Sequence, residues 1–198
     1  MQILKVALAS VAMLFTSAAV TAPVAAAQGT SVVVIDQSRI MRESAGGKDI
    51  ISKVNAIEQS MTAELKPTQD SLASEGQTLE AKTANMSMEA IAADEALSQQ
   101  VRDYARKAQS FNRQRQIAAA ELQATERKAW SDFFTEMQDV LQEVVTEKNA
   151  DVMIDRSEAI YVGDSVDATA LVISKMDAKM PTVNVVRQKI QTQAAPQQ

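Results

Sequence analysis

The sequence contains no cysteine and no histidine. The first absence excludes a disulfide, a thiol nucleophile and a lipid anchor on cysteine. Together the two absences remove the commonest metal ligands and the usual general base. Only Asp/Glu, Lys, Tyr and Ser/Thr remain for chemistry. Neither G-x-x-x-x-G-K-[ST] nor G-x-G-x-x-G occurs, so no nucleotide site and no other cofactor is expected. Between Lys48 and Asn149 there is one glycine, Gly76, and one proline, Pro67. The balance of 25 acidic against 20 basic residues weighs against nucleic acid as a partner. Beyond the N-terminus no apolar run reaches the roughly 20 residues that a membrane span needs, which leaves only peripheral membrane contact open.

What is present begins with an export signal. Lys5 precedes an apolar run from Val6 to Val20, and Ala25 to Ala27 stand before the polar Gln28. That layout predicts a signal peptide over residues 1–27, cleaved after Ala27, and a mature chain outside the cytoplasm.

Two short segments read as buried strands, "SVVVID" (Ser31 to Asp36) and "ADVMID" (Ala150 to Asp155). The chain between them is rich in Ala, Gln, Glu, Lys and Arg and predicts long helix. Leu65, Leu72, Leu79 and Met86 repeat every seven residues, and Val101, Tyr104, Ala108, Phe111, Ala118 and Leu122 continue an apolar stripe beyond a break at residues 84–88. Ser87 is the expected N-cap of the return helix. Helix, break and returning helix make an antiparallel hairpin over 48–149. Thr68, Glu75, Lys82 and Arg115 interrupt its seam, whereas Trp130, Phe133 and Phe134 broaden it near the strands, where the aromatic group is expected to pack on the body. Pro67 reads as a kink or hinge in the first leg.

Residues 28–47 and 150–181 then form a small β/α body. Gly163-Asp164 is the expected turn, Asp167 the N-cap of a short helix, and Pro181 its end. Residues 182–198 read as a tail, disordered at its end. Two strands of six residues are marginal alone. Because "VVVI" and "VMI" are apolar on both faces, self-association that pools strands between subunits is the economical solution.

The charge-dense "DVMIDRSEAIYVG", Asp151 to Gly163, suggests a hydrolase centre or a metal loop when read alone. No sugar cleft surrounds its carboxylates. Asp155, Glu158, Asp164 and Asp167 also lack the alternating spacing and internal glycine of a calcium loop. No enzyme and no metal site are expected. Arg156 is expected to pair with Asp155 or Glu158.

Val152-Met153-Ile154-Asp155, Ile160-Tyr161 and Asp167-Ala168-Thr169, preceded by "VVVID" and a hundred-residue hairpin, resemble the Skp/OmpH family of periplasmic chaperones. The likeness spans nearly the whole mature chain, although its helical middle is generic. It implies an α+β fold: a small β body, a trimeric barrel, with long antiparallel α-helical coiled-coil hairpin arms enclosing a cavity. It implies an ATP-independent periplasmic holdase that binds unfolded outer-membrane β-barrel proteins and keeps them soluble for assembly. Val32, Val33, Val34, Ile35, Val152, Met153, Ile154, Ile160 and Tyr161 would form the homotrimeric body. Met86, Met88, Arg102, Arg106, Arg113 and Arg115 would meet clients. Relatives of the best-known type carry basic arms suited to acidic clients and lipopolysaccharide. Here Lys66 to Gln100 holds two basic against six acidic residues, and positive charge gathers only from Arg102 to Lys128. A lipopolysaccharide site is therefore not carried over. The same helices would also serve a structural spacer or adaptor of the cell envelope with no client.

Overall fold

The structure, a computed structural model, describes residues 29–190. The expected signal peptide lies outside them. The β-branched runs form β1 (Val32–Ile35) and β2 (Val152–Asp155), which pair in parallel with Val32 opposite Val152 and Ile35 opposite Asp155. Ser31 ties the strand starts together: its amide donates to Asp151 Oδ2 at 2.8 Å and its carbonyl accepts from the Asp151 and Val152 amides. On the other side of β1 the Val34 amide donates to Val166 O, and the Ala168 amide donates to Val34 O, both at 2.8 Å. β1 is thus paired on both edges, once by β2 and once by an isolated bridge to Asp167.

Asp36 ends β1 and caps α1 (Gln37–Glu43), accepting from the Arg39 amide at 2.8 Å. Buried Ser44 closes α1 and caps α2 (Ala45–Thr83), accepting from the Gly47 amide. The corner is too tight for larger residues. A Cβ at Gly47 would lie 1.9 Å from Met41 O, and one at Gly46 would lie 2.6 Å from Met180 O. Pro67 lies inside α2, which runs on sixteen residues to Thr83, so the proline does not end the helix.

The break is more elaborate than a single cap. Ser87 does cap a helix, but it is the short α3 (Met88–Ala93), and Asp94 then caps α4 (Glu95–Glu147) by accepting from the Leu97 amide at 2.9 Å. The return leg therefore starts at Glu95, because the Asp94 carboxylate offers the backbone a better partner than continuation of α3 would. At about 1.5 Å per residue the 39-residue α2 and the 53-residue α4 measure roughly 58 and 80 Å. Asn149 closes α4 in the left-handed region at φ 47°, and the Ala150 amide returns to Val145 O at 3.0 Å.

The core sits at the base of the hairpin. Ile40, Ile50, Phe133, Val140, Val144, Val172 and Met176 are wholly inaccessible, and Val33, Ile35, Met137 and Ala168 join them. Fully burying such a side chain contributes about 1.5–3 kcal/mol. Ile50 and residues 129–144 fall in the stretch expected to be arm, yet they pack into the core, so the first turns of α2 and the last turns of α4 pack with the body. Further out the seam narrows to single buried residues: Met61, Leu72, Leu79, Leu97, Phe111 and Ala118. α5 (Thr169–Lys179) lies across the base and ends before Pro181. Its designated cap residue is Ala168, one position beyond the expected Asp167, although Asp167 still accepts from the Thr169 amide at 2.8 Å.

The tail departs from expectation. Thr182 to Ile190 is not loose: Val183 is buried, its amide donates to Asp49 at 2.8 Å, and the segment continues along the arm to Glu121. Polar composition suggested disorder, but main-chain hydrogen bonds and one ion-pair cluster hold this segment in place. Residues 191–198 lie outside the described part.

Candidate client-binding arm and assembly face

The body divides the expected assembly residues in two. Val33, Val34 and Ile35 are 3–6% exposed, covered within this one chain. Val33 and Ile35 pack into the core beneath the helices, and Val34, on the alternate face of β1, is buried where the 166–168 segment pairs with it. Met153 and Ile154 are half-buried, and Met153 packs against the core. Val32 and Val152, paired across the sheet, remain 37% and 41% exposed. Ile160 and Tyr161 stand at 107% and 86%, outside any strand, in the loop after a 3-10 turn at Arg156–Glu158. β2 stops at Asp155, whose carboxylate caps the turn. Of the nine expected assembly residues, Val32, Val152, Ile160 and Tyr161 are thus the apolar side chains that this chain leaves most exposed to water.

The charged knot beside that face is structural. Asp155 accepts from the Ser157 and Gln37 amides at 2.8 and 3.1 Å, and the serine hydroxyl and these amides hold its carboxyl below the usual range. Arg156 pairs at 2.9 Å with Asp167, not with Asp155 or Glu158, because the turn aims its side chain back across the loop. Burial pushes the Asp167 carboxyl up, but the Thr169 hydroxyl and amide and Arg156 outweigh it and keep the group low. Among the described residues no three Asp or Glu side chains converge as a metal site would require.

On the arm, Met86 is half-buried beside a cavity of about 330 Å³ between the legs, lined by Lys82, Asp94, Leu97 and Gln100. Met88 opens α3 and is 78% exposed. Arg102, Arg106, Arg113 and Arg115 are all exposed, yet they do not form one band. At about 100° per residue Arg102, Arg106 and Arg113 fall within roughly 40° of one another, opposite the seam residue Phe111, while Arg115 flanks the seam. Arg106 is paired with Asp103. Arg113 and Arg115 have no ion-pair partner among the described residues. The polar seam positions are matched across the hairpin: Lys107 binds Glu75 at 2.9 Å, and Lys82 donates to Gln100 at 2.9 Å. Such exposed pairs contribute about 0–1 kcal/mol, so they set register rather than hold the tip.

Two features escaped the sequence reading. Trp130 and Phe134, beside wholly buried Phe133, line an open groove of about 970 Å³ with Met41. The spacing of the aromatic residues suggested packing on the body, but not that one flank would stay open. The second feature is the docked tail, for which no periodic pattern gave a signal.

A family model described as outer membrane protein (OmpH-like) matches residues 31–176, from β1 to within α5. The chain belongs to the OmpH-like family. A crystal structure of a Caulobacter crescentus protein, named as a candidate outer membrane chaperone (OmpH-like), superposes with a TM-score of 0.70 at 26% identity. It covers 82% of this chain and 92% of that one. No curated protein matches the chain. The family match ends within α5, ahead of the docked tail. Among the described residues no helix is long and apolar enough to cross a membrane.

Proposed function

We propose that the chain is an ATP-independent holdase chaperone of the periplasm, which binds unfolded outer-membrane β-barrel proteins and keeps them soluble until they assemble. It works as a homotrimer, the bodies joined through the face of Val32, Val152, Ile160 and Tyr161 and the arms surrounding the client. Family membership and the chaperone designation of the Caulobacter relative support this reading. The observation that carries it is the unequal construction of the molecule. A firmly packed base bears the exposed apolar residues Val32, Val152, Ile160 and Tyr161, and the hairpin projecting from it has a thin seam, an exposed Met88 and, among the described residues, no ion pair at Arg113 or Arg115. A holdase needs a fixed assembly point and adaptable, weakly held contact surfaces. Nothing in the reading requires nucleotide, metal or catalysis.

The alternative is a structural spacer or adaptor of the envelope. The unbroken 39- and 53-residue helices with matched cross-seam pairs favour it. Dilution of a urea-unfolded outer-membrane β-barrel protein separates the two. The holdase keeps the client in solution without nucleotide at equimolar trimer; aggregation unchanged from the control leaves the spacer.

A further inference from the structure

Glu121 is a carboxylate on the inner side of α4 whose side chain is only 5% exposed. Among the described residues neither leg of the hairpin supplies it with a cation. Its partners all come from the docked tail: Arg187 at 2.7 Å, the Ile190 amide at 3.2 Å and Lys189 at 3.9 Å. One turn along α4 the buried Thr125 hydroxyl accepts from the Gln188 amide at 2.9 Å. From α2, Glu64 takes the other end of the Arg187 guanidinium at 2.8 Å. Nearer the base, Asp49 accepts from the Val183 amide and Lys53 donates to the Val183 carbonyl at 2.7 Å. Burial pushes the Glu121 carboxyl up, but Arg187 and the Ile190 amide outweigh it and hold the group below the usual range.

The pattern of these contacts matters more than their number. The arm grips the tail through three amides and a carbonyl, buried Val183 and half-buried Val185, the Arg187 guanidinium and, more distantly, the Lys189 ammonium. Val186, between them, is 57% exposed, and Ile190 is 40% exposed. Main-chain recognition of an extended segment with few side-chain requirements is how peptide grooves work. The groove is also incompletely filled. Beside Arg187 a cavity of about 280 Å³ remains, walled by Met61, Leu65, Ile117 and Ala118. A segment serving only to staple the legs together would be expected to fill that space.

We propose that the groove between α2 and α4 is a peptide-binding site which residues 182–190 occupy as an intramolecular stand-in. Its ligand is an extended segment of unfolded chain with an aliphatic residue followed four positions later by arginine. The tail must lift before such a segment enters. This rests on the client-binding reading and adds to it where the client is gripped and what gates the grip.

The test uses fluorescence anisotropy with two labelled peptides and three proteins. One peptide is Thr182–Ile190; the other keeps only the positions of Val183 and Arg187 in an Ala/Ser background. The proteins are the full chain, the chain ended after Pro181, and the ended chain with Glu121→Gln. Both peptides bind the ended chain at least tenfold more tightly than the full chain, and Glu121→Gln lowers that affinity at least tenfold. Binding of the native tail peptide alone makes the segment a private staple and overturns the proposal, as does a helical ended chain that binds neither. Should the ended chain lose its helical signal, Arg187→Ala in the full chain raises affinity for the Ala/Ser peptide, and no rise overturns the proposal. The holdase reading fails separately, on aggregation of an intact client with the full chain.

Discussion

Replacing Ile160 and Tyr161 together by serine separates folding from assembly. At 107% and 86% exposure neither side chain contributes burial within its own chain, so the isolated subunit keeps its stability. If both enter the interface, each loses about 1.5–3 kcal/mol of burial, or roughly 3–6 kcal/mol per chain and 9–18 kcal/mol per trimer. At about 1.4 kcal/mol per tenfold, the lower bound shifts the trimer dissociation constant by more than six decades. The concentration of half-assembly, which goes as the square root of that constant, then rises roughly a thousandfold or more. Light scattering behind size exclusion, from nanomolar to high micromolar, reads this directly. The wild type runs at three times the subunit mass and the variant at one, with equal helical circular dichroism. A variant that stays trimeric at low concentration refutes the argument, and so does one that unfolds as a monomer, since that would mean the pair is buried within the chain after all.

Other substitutions test the remaining assignments. Phe133→Ala, at a wholly buried ring, costs about 3–5 kcal/mol. With a urea slope near 2 kcal/mol/M this lowers the midpoint by roughly 2 M. The single tryptophan, Trp130, whose ring lies 5.5 Å from Phe133, reports the transition. Glu158→Gln, on the exposed 3-10 turn, changes stability by less than about 0.5 kcal/mol and leaves client protection intact; lost protection in an intact assembly would return the charged knot to a functional role. Asp49, Glu64 and Glu121 all carry carboxyl groups held below their ordinary values of 3.8 or 4.5. Lowered carboxyl values stabilise the docked tail above those ordinary values, and the contribution is lost as pH falls through the still lower folded ones. Amide protection of Val183, Gln188 and Ile190 therefore holds from pH 7 to about 5 and collapses below about pH 4. Protection already gone at pH 6 contradicts the ion-pair account.

The strands and the long helices were legible because they rest on local pattern: β-branched runs ending in Asp, and apolar residues at helical spacing with only one glycine and one proline in a hundred residues. Leu72, Leu79, Phe111 and Ala118 duly fall on the seam. Features decided by a choice among polar partners were not legible. Asp94 and Ser87 are equally good caps in sequence, and only the packing of α3 on α4 makes both act. Arg156 had several carboxylates within reach along the chain, and the turn direction selected Asp167. Sequence proximity is not angular proximity on a helix, so Arg115 flanks the seam while Arg102, Arg106 and Arg113 share the opposite side. Tail docking was invisible for a deeper reason. Its partners lie some 60 to 130 residues away and bind mainly its backbone, which every sequence possesses alike.

The parallel pairing of β1 with β2 has a consequence for the order of events in folding. Ser31 and Asp151 are 120 positions apart, and closing such a loop in a flexible chain costs about 4 kcal/mol. Four paired residues recover little of that. The hairpin, whose contacts are largely sequential, can zip first and deliver the two strand segments to one place at small further cost. Val152 then comes to stand beside Val32 only on a chain that already owns a finished arm. In the proposed homotrimer an incomplete chain, lacking β2, cannot present Val152, Ile160 and Tyr161 to its fellows, so the order of the chain itself would exclude an armless subunit from assembly.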